Sequence, residues 1–222
     1  MPSVERRELG IERRAPRGDA RVRRNGEARG RSGGRNGARS RILEAAYRLF
    51  SRHGINSVGI DRIIAEAPVA KATLYHHFAS KEDLVTSFLE LREIRWTVDW
   101  LQSEVERLAA AGNSRALAVF DALDDWFHRP DFEGCSFINT LLEIGDRENP
   151  IHLRAIHHLE VLRAMLEDYA AQAGVKSPVE VSYQLQLLMM GAIVSASRGD
   201  SQAARRARTL AELMLVGTPY TP

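Results

Sequence analysis

Apolar residues along most of the chain recur at intervals of three and four positions, the spacing that places side chains on one face of an α-helix. Strand-like alternation never lasts more than a few positions, so the pattern predicts an all-α protein. Proline at the start of a run and glycine just past its end mark the expected boundaries. The predicted helices begin near residues 38, 60, 71, 80, 114, 150, 178 and 202, with one or two more between 130 and 149.

The first three predicted helices are short and closely spaced, and each has an apolar stripe of its own. Ile42 and Phe50 share a face of the first, Ile63 belongs to the second, and Leu74 to the third. Ser80-Lys81-Glu82-Asp83 then forms an S-x-x-D capping box, which begins a long fourth helix. Three short helices followed by a long one is the order of a helix-turn-helix reader of duplex DNA.

The third helix carries the side chains that a recognition helix needs. Ala72 and Thr73 are small enough to seat it in the major groove, and Lys71 can bind a phosphate or a guanine. Either lysine of this region, taken alone, could equally be a solvated surface charge. It is the combination at this spacing that favours DNA binding. The predicted DNA-contacting residues are Arg39, Arg41, Lys71, Ala72, Thr73, Tyr75, His76 and Lys81.

This region resembles the TetR family of transcriptional regulators. The resemblance is carried by Lys71-x-Thr73-Leu74-Tyr75-x-His77-Phe78 and the following Ser80-Lys81-Glu82-x-Leu84. It implies a homodimer in which each subunit has an N-terminal three-helix helix-turn-helix domain and a C-terminal helical domain for ligand binding and dimerisation. It further implies a palindromic double-stranded DNA operator that is released when a small molecule binds.

Three residues depart from the family pattern. Pro68 stands in the turn where the family usually has glycine, and proline disfavours helical geometry at Ala67. Gly59 and Ala70 stand at the starts of the second and third helices, where the family usually has a hydroxyl cap. These departures could weaken operator affinity.

Charge is divided unevenly along the 222 residues, whose net charge is +2. Residues 1–38 contain 11 arginines and 5 acidic residues, a net charge of +6, whereas the remainder carries −4. Too few apolar residues occur in 1–37 to bury, so we predict a disordered basic tail there. It is interpreted as an arm that adds phosphate contacts, as a solvated tail, or as an extension from a misplaced start codon.

Two further domains follow from this division: a DNA-binding domain at 38–84 and an effector-binding and dimerisation domain at 85–222. A single cysteine, an arginine-rich N-terminus without an apolar run, and no stretch near the roughly 18 apolar residues of a membrane span predict a cytoplasmic protein without membrane association.

Aromatic residues concentrate at the start of the second domain, where all three tryptophans lie within 31 positions. They are interpreted either as the lining of an effector cavity or as ordinary core. A Gly-Cys-x-Phe-x-Asn run at 134–139 is similar to one branch of the TetR family. Cys135 is expected to be a small buried residue, with a redox-sensing thiol as the alternative. The predicted pocket residues are Trp96, Trp100, Phe120, Trp126, Phe137 and Asn139.

The segment 183–197 is apolar on nearly every side, which favours burial against a second subunit over burial in the monomer core. Small residues within it would let helices approach closely, and Ile156, Leu159 and Arg163 of the preceding helix would complete a four-helix contact. The predicted interface residues are Leu187, Met190, Gly191, Val194 and Ser195.

Enzyme chemistry is not indicated. The sequence has no phosphate-binding glycine loop and no nucleophile elbow. His152, His157 and His158 lack the i, i+4 spacing of a metal pair, so neither a metal nor a cofactor is predicted. The predicted function is a ligand-responsive, sequence-specific DNA-binding regulator, most simply a repressor. The alternatives are a helical enzyme and a helical protein-interaction module whose DNA reader has decayed.

Overall fold

The computed structural model describes residues 32–216, with side chains from residue 37 onward. Within that range the backbone is helical throughout and contains no strand, which confirms the all-α prediction. The elements are α1 (Ser32–His53), α2 (Ile60–Glu66), α3 (Lys71–His77), α4 (Lys81–Arg92), a π-helical segment (Glu93–Gln102), α5 (Ser103–Ala109), α6 (Arg115–Phe127), α7 (Ser136–Glu143), α8 (Pro150–Gln172), α9 (Pro178–Ser197) and α10 (Ala203–Val216).

Helices α1 to α3 form a small unit that is held together by packing rather than by helix caps. Gly59 and Ala70 precede α2 and α3 in extended conformation, and neither helix has a side-chain cap, as the sequence predicts. Helices of seven residues are not stable alone in water. The complete burial of Ile63 and Leu74 in the common core therefore holds them in place.

The turn between α2 and α3 follows from its proline. Ala67 has φ −94° and ψ 6°, which lies outside the α-helical region, and α2 has already ended at Glu66. Pro68 causes this departure, because its ring disfavours helical geometry in the residue before it. The family's glycine is therefore replaced by a turn of different geometry.

A continuous rod of helix links this unit to the rest of the chain. It begins at the predicted capping box, where the Ser80 hydroxyl accepts the Asp83 N–H at 3.1 Å and the Asp83 carboxylate accepts the Ala79 N–H at 3.0 Å. Helix α4 continues through the π-helical segment into α5, because Glu93 and Ser103 at the two junctions keep helical backbone angles. π-Helical segments are rare and concentrate at functional sites, and the sequence analysis did not predict this one.

Helices α6 to α10 pack around the distal part of the rod. Helix α10 packs against α6 and α9, and α8 packs against α7 and α9. The Asn149 side chain caps α8 by accepting the Ile151 N–H at 2.9 Å. Fully buried Phe120, Leu123 and Leu166 belong to the core of this second unit, which is continuous with that of the first.

Predicted helix ends agree with the structure to within two residues except at the start of α1. That helix begins six residues before Ala38 and so takes residues 32–37 from the predicted tail. Extending an existing helix is cheap compared with nucleating one, which is why an apolar face is not needed there. The predicted disorder of residues 1–31 lies outside the described residues.

The expectation that no stretch could span a membrane needs correction. Helix α9 has 20 residues and a mean hydropathy of 1.2 over its best window, which meets the minimum for crossing a bilayer by length and composition. Core helices of soluble proteins pass the same test. Only 28% of that window is buried within the subunit, so most of this apolar helix is accessible.

Candidate nucleic-acid interface

Helix α3 presents one polar face to solvent and turns its apolar face inward. Leu74 and the following Phe78 are completely buried, which fixes the rotation of the helix. Thr73 is half-buried at the edge of the outward face. The fully exposed members of the predicted set on this helix are Lys71, Ala72, Tyr75 and His76.

The Lys71 amine is already engaged by a carboxylate of the same unit. Its Nζ lies 2.9 Å from Oδ1 of Asp61, on α2, and both side chains are exposed. The hydrogen bond and the charge of Asp61 raise the pKa of Lys71, so the amine remains protonated. A nucleic-acid phosphate at this position would have to compete with Asp61 for the amine.

Two other predicted DNA contacts are bonded to the scaffold. The half-buried Lys81 donates from Nζ to the carbonyl of Ile55 at 2.7 Å, which ties the start of α4 to the α1–α2 turn. The Arg39 guanidinium lies 4.8 Å above the ring of Phe78, while Arg41 is exposed on α1. Five predicted contacts thus cluster on α3, and these three lie around it.

The α1–α2 turn also binds the far end of α7. The backbone N–H of Asn56 donates to the Glu143 carboxylate at 2.7 Å, and the Asn56 side-chain amide donates to the Glu143 carbonyl at 3.1 Å. Gly54 has φ +79°, and a Cβ placed on it would collide with the Glu143 carboxylate. The two units therefore meet in a contact of fixed geometry, which no sequence signal indicated.

A second contact joins α1 to the rod. The Arg95 guanidinium of the π-helical segment forms an ion pair with Glu44, which lowers the pKa of that carboxyl. Arg92 donates to the Tyr47 hydroxyl at 2.9 Å, and both arginines lie over the Tyr47 ring. Any rotation of the rod must therefore move α1 with it.

The predicted pocket residues do not form one group. Trp96, Trp100 and Trp126 contact one another with ring centroids 5.1 to 5.9 Å apart. Phe120 is fully buried in the core, and Phe137 stacks on His158 instead. Asn139 is exposed on α7, so the expectation that its amide points inward is wrong. Residue 139 falls on the solvent side of a helix whose apolar residues take the inner face.

Cys135 and the histidines match the structural interpretations more closely than the reactive ones. Burial raises the pKa of the Cys135 thiol, which keeps it in its unreactive protonated form. The His152 ring is hydrogen-bonded to the carbonyl of Ile144 at 2.7 Å, and His157 is exposed. Among residues 32–216, no three His, Cys, Asp or Glu side chains lie close enough together to hold a metal ion.

The third histidine, His158, is fully buried. Burial and the charges of Arg154, His157 and Arg92 lower its pKa from 6.5 to about 3, so the imidazole is neutral at physiological pH. Its Nδ1 lies 3.4 Å from the Glu93 carboxylate at the start of the π-helical segment.

The predicted interface residues on α9 lie on an accessible apolar surface. Leu187 is 70% exposed and Val194 47% exposed, Met190 and Ser195 are half-buried, and Gly191 is exposed. Helix α10 continues this surface through Leu210, Leu213 and Val216, which the sequence analysis missed. A groove of about 220 Å³ lies between the two helices.

Comparison with known proteins adds to this geometry. The family model of the bacterial TetR regulatory proteins matches residues 42–88, and that of the tetracyclin repressor-like C-terminal domain matches residues 112–211. A solved TetR-family transcriptional regulator from Streptomyces coelicolor, SCO4454, is 30% identical with a TM-score of 0.72, covering 81% of this chain and 95% of that one. The chain belongs to the TetR family.

Curated TetR-family relatives match over the N-terminal region alone. The regulator QacR of Staphylococcus aureus is 29% identical over 68 residues, which are 31% of this chain and 36% of QacR. The regulator UidR of Escherichia coli K12 is 41% identical over 51 residues, which are 23% of this chain and 26% of UidR. The chain thus matches roughly a third of one of these proteins and a quarter of the other. The Gly-Cys-x-Phe-x-Asn branch assignment stays a prediction.

Proposed function

We propose that the protein is a cytoplasmic, homodimeric transcriptional regulator that binds a palindromic operator through α3 of each subunit and represses transcription until a small molecule binds. The outward face of α3, with Lys71 and Tyr75 beside the basic N-terminal region, is the observation that carries this proposal. The same placement favours DNA binding over a protein-interaction module, because α3 offers an apolar partner little beyond the Tyr75 ring.

The two units divide the work in this proposal. Helices α1 to α3 and the start of α4 read the DNA, and the remainder binds the effector and the second subunit. The contacts of Asn56 with Glu143 and of Glu44 with Arg95 would carry a displacement of α7 or of the rod to the reading unit. Such a displacement in each subunit changes the separation of the two α3 helices and hence the fit to the operator.

The dimer contact is proposed on α9 and α10. Changing Leu187, the most exposed apolar residue of α9, to aspartate places a charge in that contact and is expected to give monomers in analytical ultracentrifugation. Leu142, which is 80% exposed on α7, provides the matched control, because Leu142→Asp leaves α9 untouched. A Leu187→Asp protein that sediments as a dimer would place the interface elsewhere.

Operator binding is tested with the chain's few lysines. Lys71→Ala removes a phosphate contact and is expected to weaken binding to DNA from the region upstream of the gene about tenfold, while lowering the salt dependence of log K by about one. Tyr75→Ala should weaken binding comparably. Lys176→Ala is the control, since Lys176 is exposed beyond α8. Equal affinities for all three variants and the wild type in fluorescence anisotropy would refute the assigned role of α3.

A further inference from the structure

The interior of the regulatory unit contains polar atoms that lack hydrogen-bond partners among the described residues. Six buried side-chain atoms in residues 37–216 are in this state. Two of them lie in the π-helical segment, Trp96 Nε1 and Thr97 Oγ1, and two on α8, Arg154 Nε and His158 Nε2. Leaving such a group unpaired costs about 1–3 kcal/mol each. Concentrating four of them where a rare helical form meets α8 therefore requires an explanation.

His158 is the centre of this cluster. Its side chain has no exposed surface, and its ring stacks on Phe137 with centroids 3.4 Å apart and planes inclined by 11°. The ring orientation is thereby fixed. Because Nδ1 faces the Glu93 carboxylate, Nδ1 carries the proton, and Nε2 presents a lone pair that needs a donor.

Arg154 lies one helical turn before His158 on the same face of α8. Its guanidinium is 3.8 Å from Glu90 and 3.9 Å from Glu93, so its ion pairs are long, and its Nε–H has no acceptor. The cluster thus offers a lone pair on His158 and N–H donors on Arg154 and Trp96. Thr97, four residues after Glu93, adds a hydroxyl that can act either way.

We propose that this cluster is the polar end of the effector site and binds the hydroxyl group of a neutral, aromatic ligand. A hydroxyl can donate to His158 Nε2 and accept from Arg154 Nε or Trp96 Nε1 through one oxygen. A carboxylate has no proton for Nε2, and an ammonium is repelled by Arg154 and Arg92. The rings of Phe137, Trp96 and Trp126 suit an aromatic body. This inference rests on the proposed function, since it assumes a regulator with a small-molecule effector.

Four probes that share one body test the chemistry: p-cresol, toluene, 4-methylbenzoate and 4-methylbenzylamine. Titration of the full-length protein, followed by tryptophan fluorescence and calorimetry, should give p-cresol an affinity at least tenfold higher than any of the other three. His158→Phe keeps a ring against Phe137 but removes Nε2, and it should reduce p-cresol affinity to that of toluene. Thr97→Val provides a second, nearly isosteric removal of a polar atom and should lower p-cresol affinity severalfold.

His157→Phe is the matched control, because that neighbouring histidine is exposed, and it should preserve the p-cresol preference. Equal binding of all four probes, or a p-cresol preference that survives both His158→Phe and Thr97→Val, would overturn the proposal. DNA binding of the wild type is measured separately. A protein that prefers p-cresol but ignores DNA contradicts the proposed function alone, whereas one that binds DNA without discriminating the probes contradicts the effector site alone.

Discussion

The two units of the molecule distribute polar and apolar groups in opposite ways. In the reading unit, the core of Ile42, Ile63 and Leu74 is apolar, and the polar side chains of α3 face outward. The regulatory unit keeps a histidine, an arginine and a threonine inside and exposes Leu187 and Leu213 outside. A closed core suits a rigid reader. An interior with unpaired polar groups and an exterior with apolar ones suit a unit that is completed by a ligand and by a second subunit.

The largest expected effect breaks the closed core of the reading unit. Leu74→Ala removes the fully buried anchor of the uncapped helix α3 and should lower the free energy of unfolding by about 3 kcal/mol, with loss of DNA binding. Urea denaturation monitored by circular dichroism measures it. Leu142→Ala, at an exposed position on α7, should change stability by less than about 0.5 kcal/mol. Equal effects of the two changes would mean that α3 is not held by this packing.

The second prediction concerns the buried histidine of the regulatory unit. The pKa of His158 is lowered from 6.5 to about 3, so below pH 6.5 the unfolded chain takes up a proton that the folded chain does not. Stability is therefore lost as pH falls from 6.5 towards 3, by about 2 kcal/mol between pH 7.5 and pH 5 from this residue.

His158→Phe should remove that part of the pH dependence, and His157→Phe should not. Urea denaturation of the three proteins at pH 7.5 and pH 5 compares the differences. An unchanged difference in His158→Phe would show that His158 is already protonated in the folded state, which contradicts the neutral imidazole required above.

The third prediction tests the joint between the two units. Glu143→Gln replaces the charged acceptor of the Asn56 N–H with a neutral one and should weaken this bond by about 1 kcal/mol, since charge-assisted bonds are the stronger ones. Hydrogen exchange of the Asn56 amide should accelerate accordingly. The Ala79 amide, bound by Asp83, is the internal control and should exchange at its wild-type rate. If both amides change together, the variant has loosened the whole unit rather than the joint.

The smallest expected effect lies on the DNA-reading surface. Asp61→Asn releases the Lys71 amine from its ion pair and should raise DNA affinity by no more than about fivefold, since exposed pairs are weak. Glu82→Gln, an exposed acid at the start of α4, is the control for general loss of negative charge. Anisotropy at two salt concentrations distinguishes them. Reduced affinity in Asp61→Asn would mean that Asp61 positions Lys71 for DNA rather than competing with it.

The two units also differ in how far the sequence predicted them. The helices of both, the capping box at Ser80 and the turn at Pro68 were predicted, because local spacing and local chemistry determine them. The outward face of α3 followed from the motif around Lys71 and Tyr75. These features depend on residues within a few positions of one another.

The regulatory interior was not predictable in the same way. The Glu143–Asn56 contact joins positions 87 residues apart, and the His158–Glu93 contact spans 65. The sequence placed Arg154 and His158 on one helical face but could not show that Glu93 would face them. Asn139 was misplaced because polar and apolar positions of a short helix depend on which neighbour covers it. The π-helical segment has no recognised sequence signature, and it shifts every side chain after Glu93 around the rod.

The close approach at Gly54 limits how this regulator could be rebuilt. A reading unit transplanted from a relative would arrive with its own α1–α2 turn, and any side chain at the position of Gly54 would meet the Glu143 carboxylate. Chimaeras that exchange DNA specificity should therefore carry α7 together with the three N-terminal helices, or retain this glycine. Residues so distant in the chain are obliged to change as a pair, so an operator preference and the means of controlling it are inherited together.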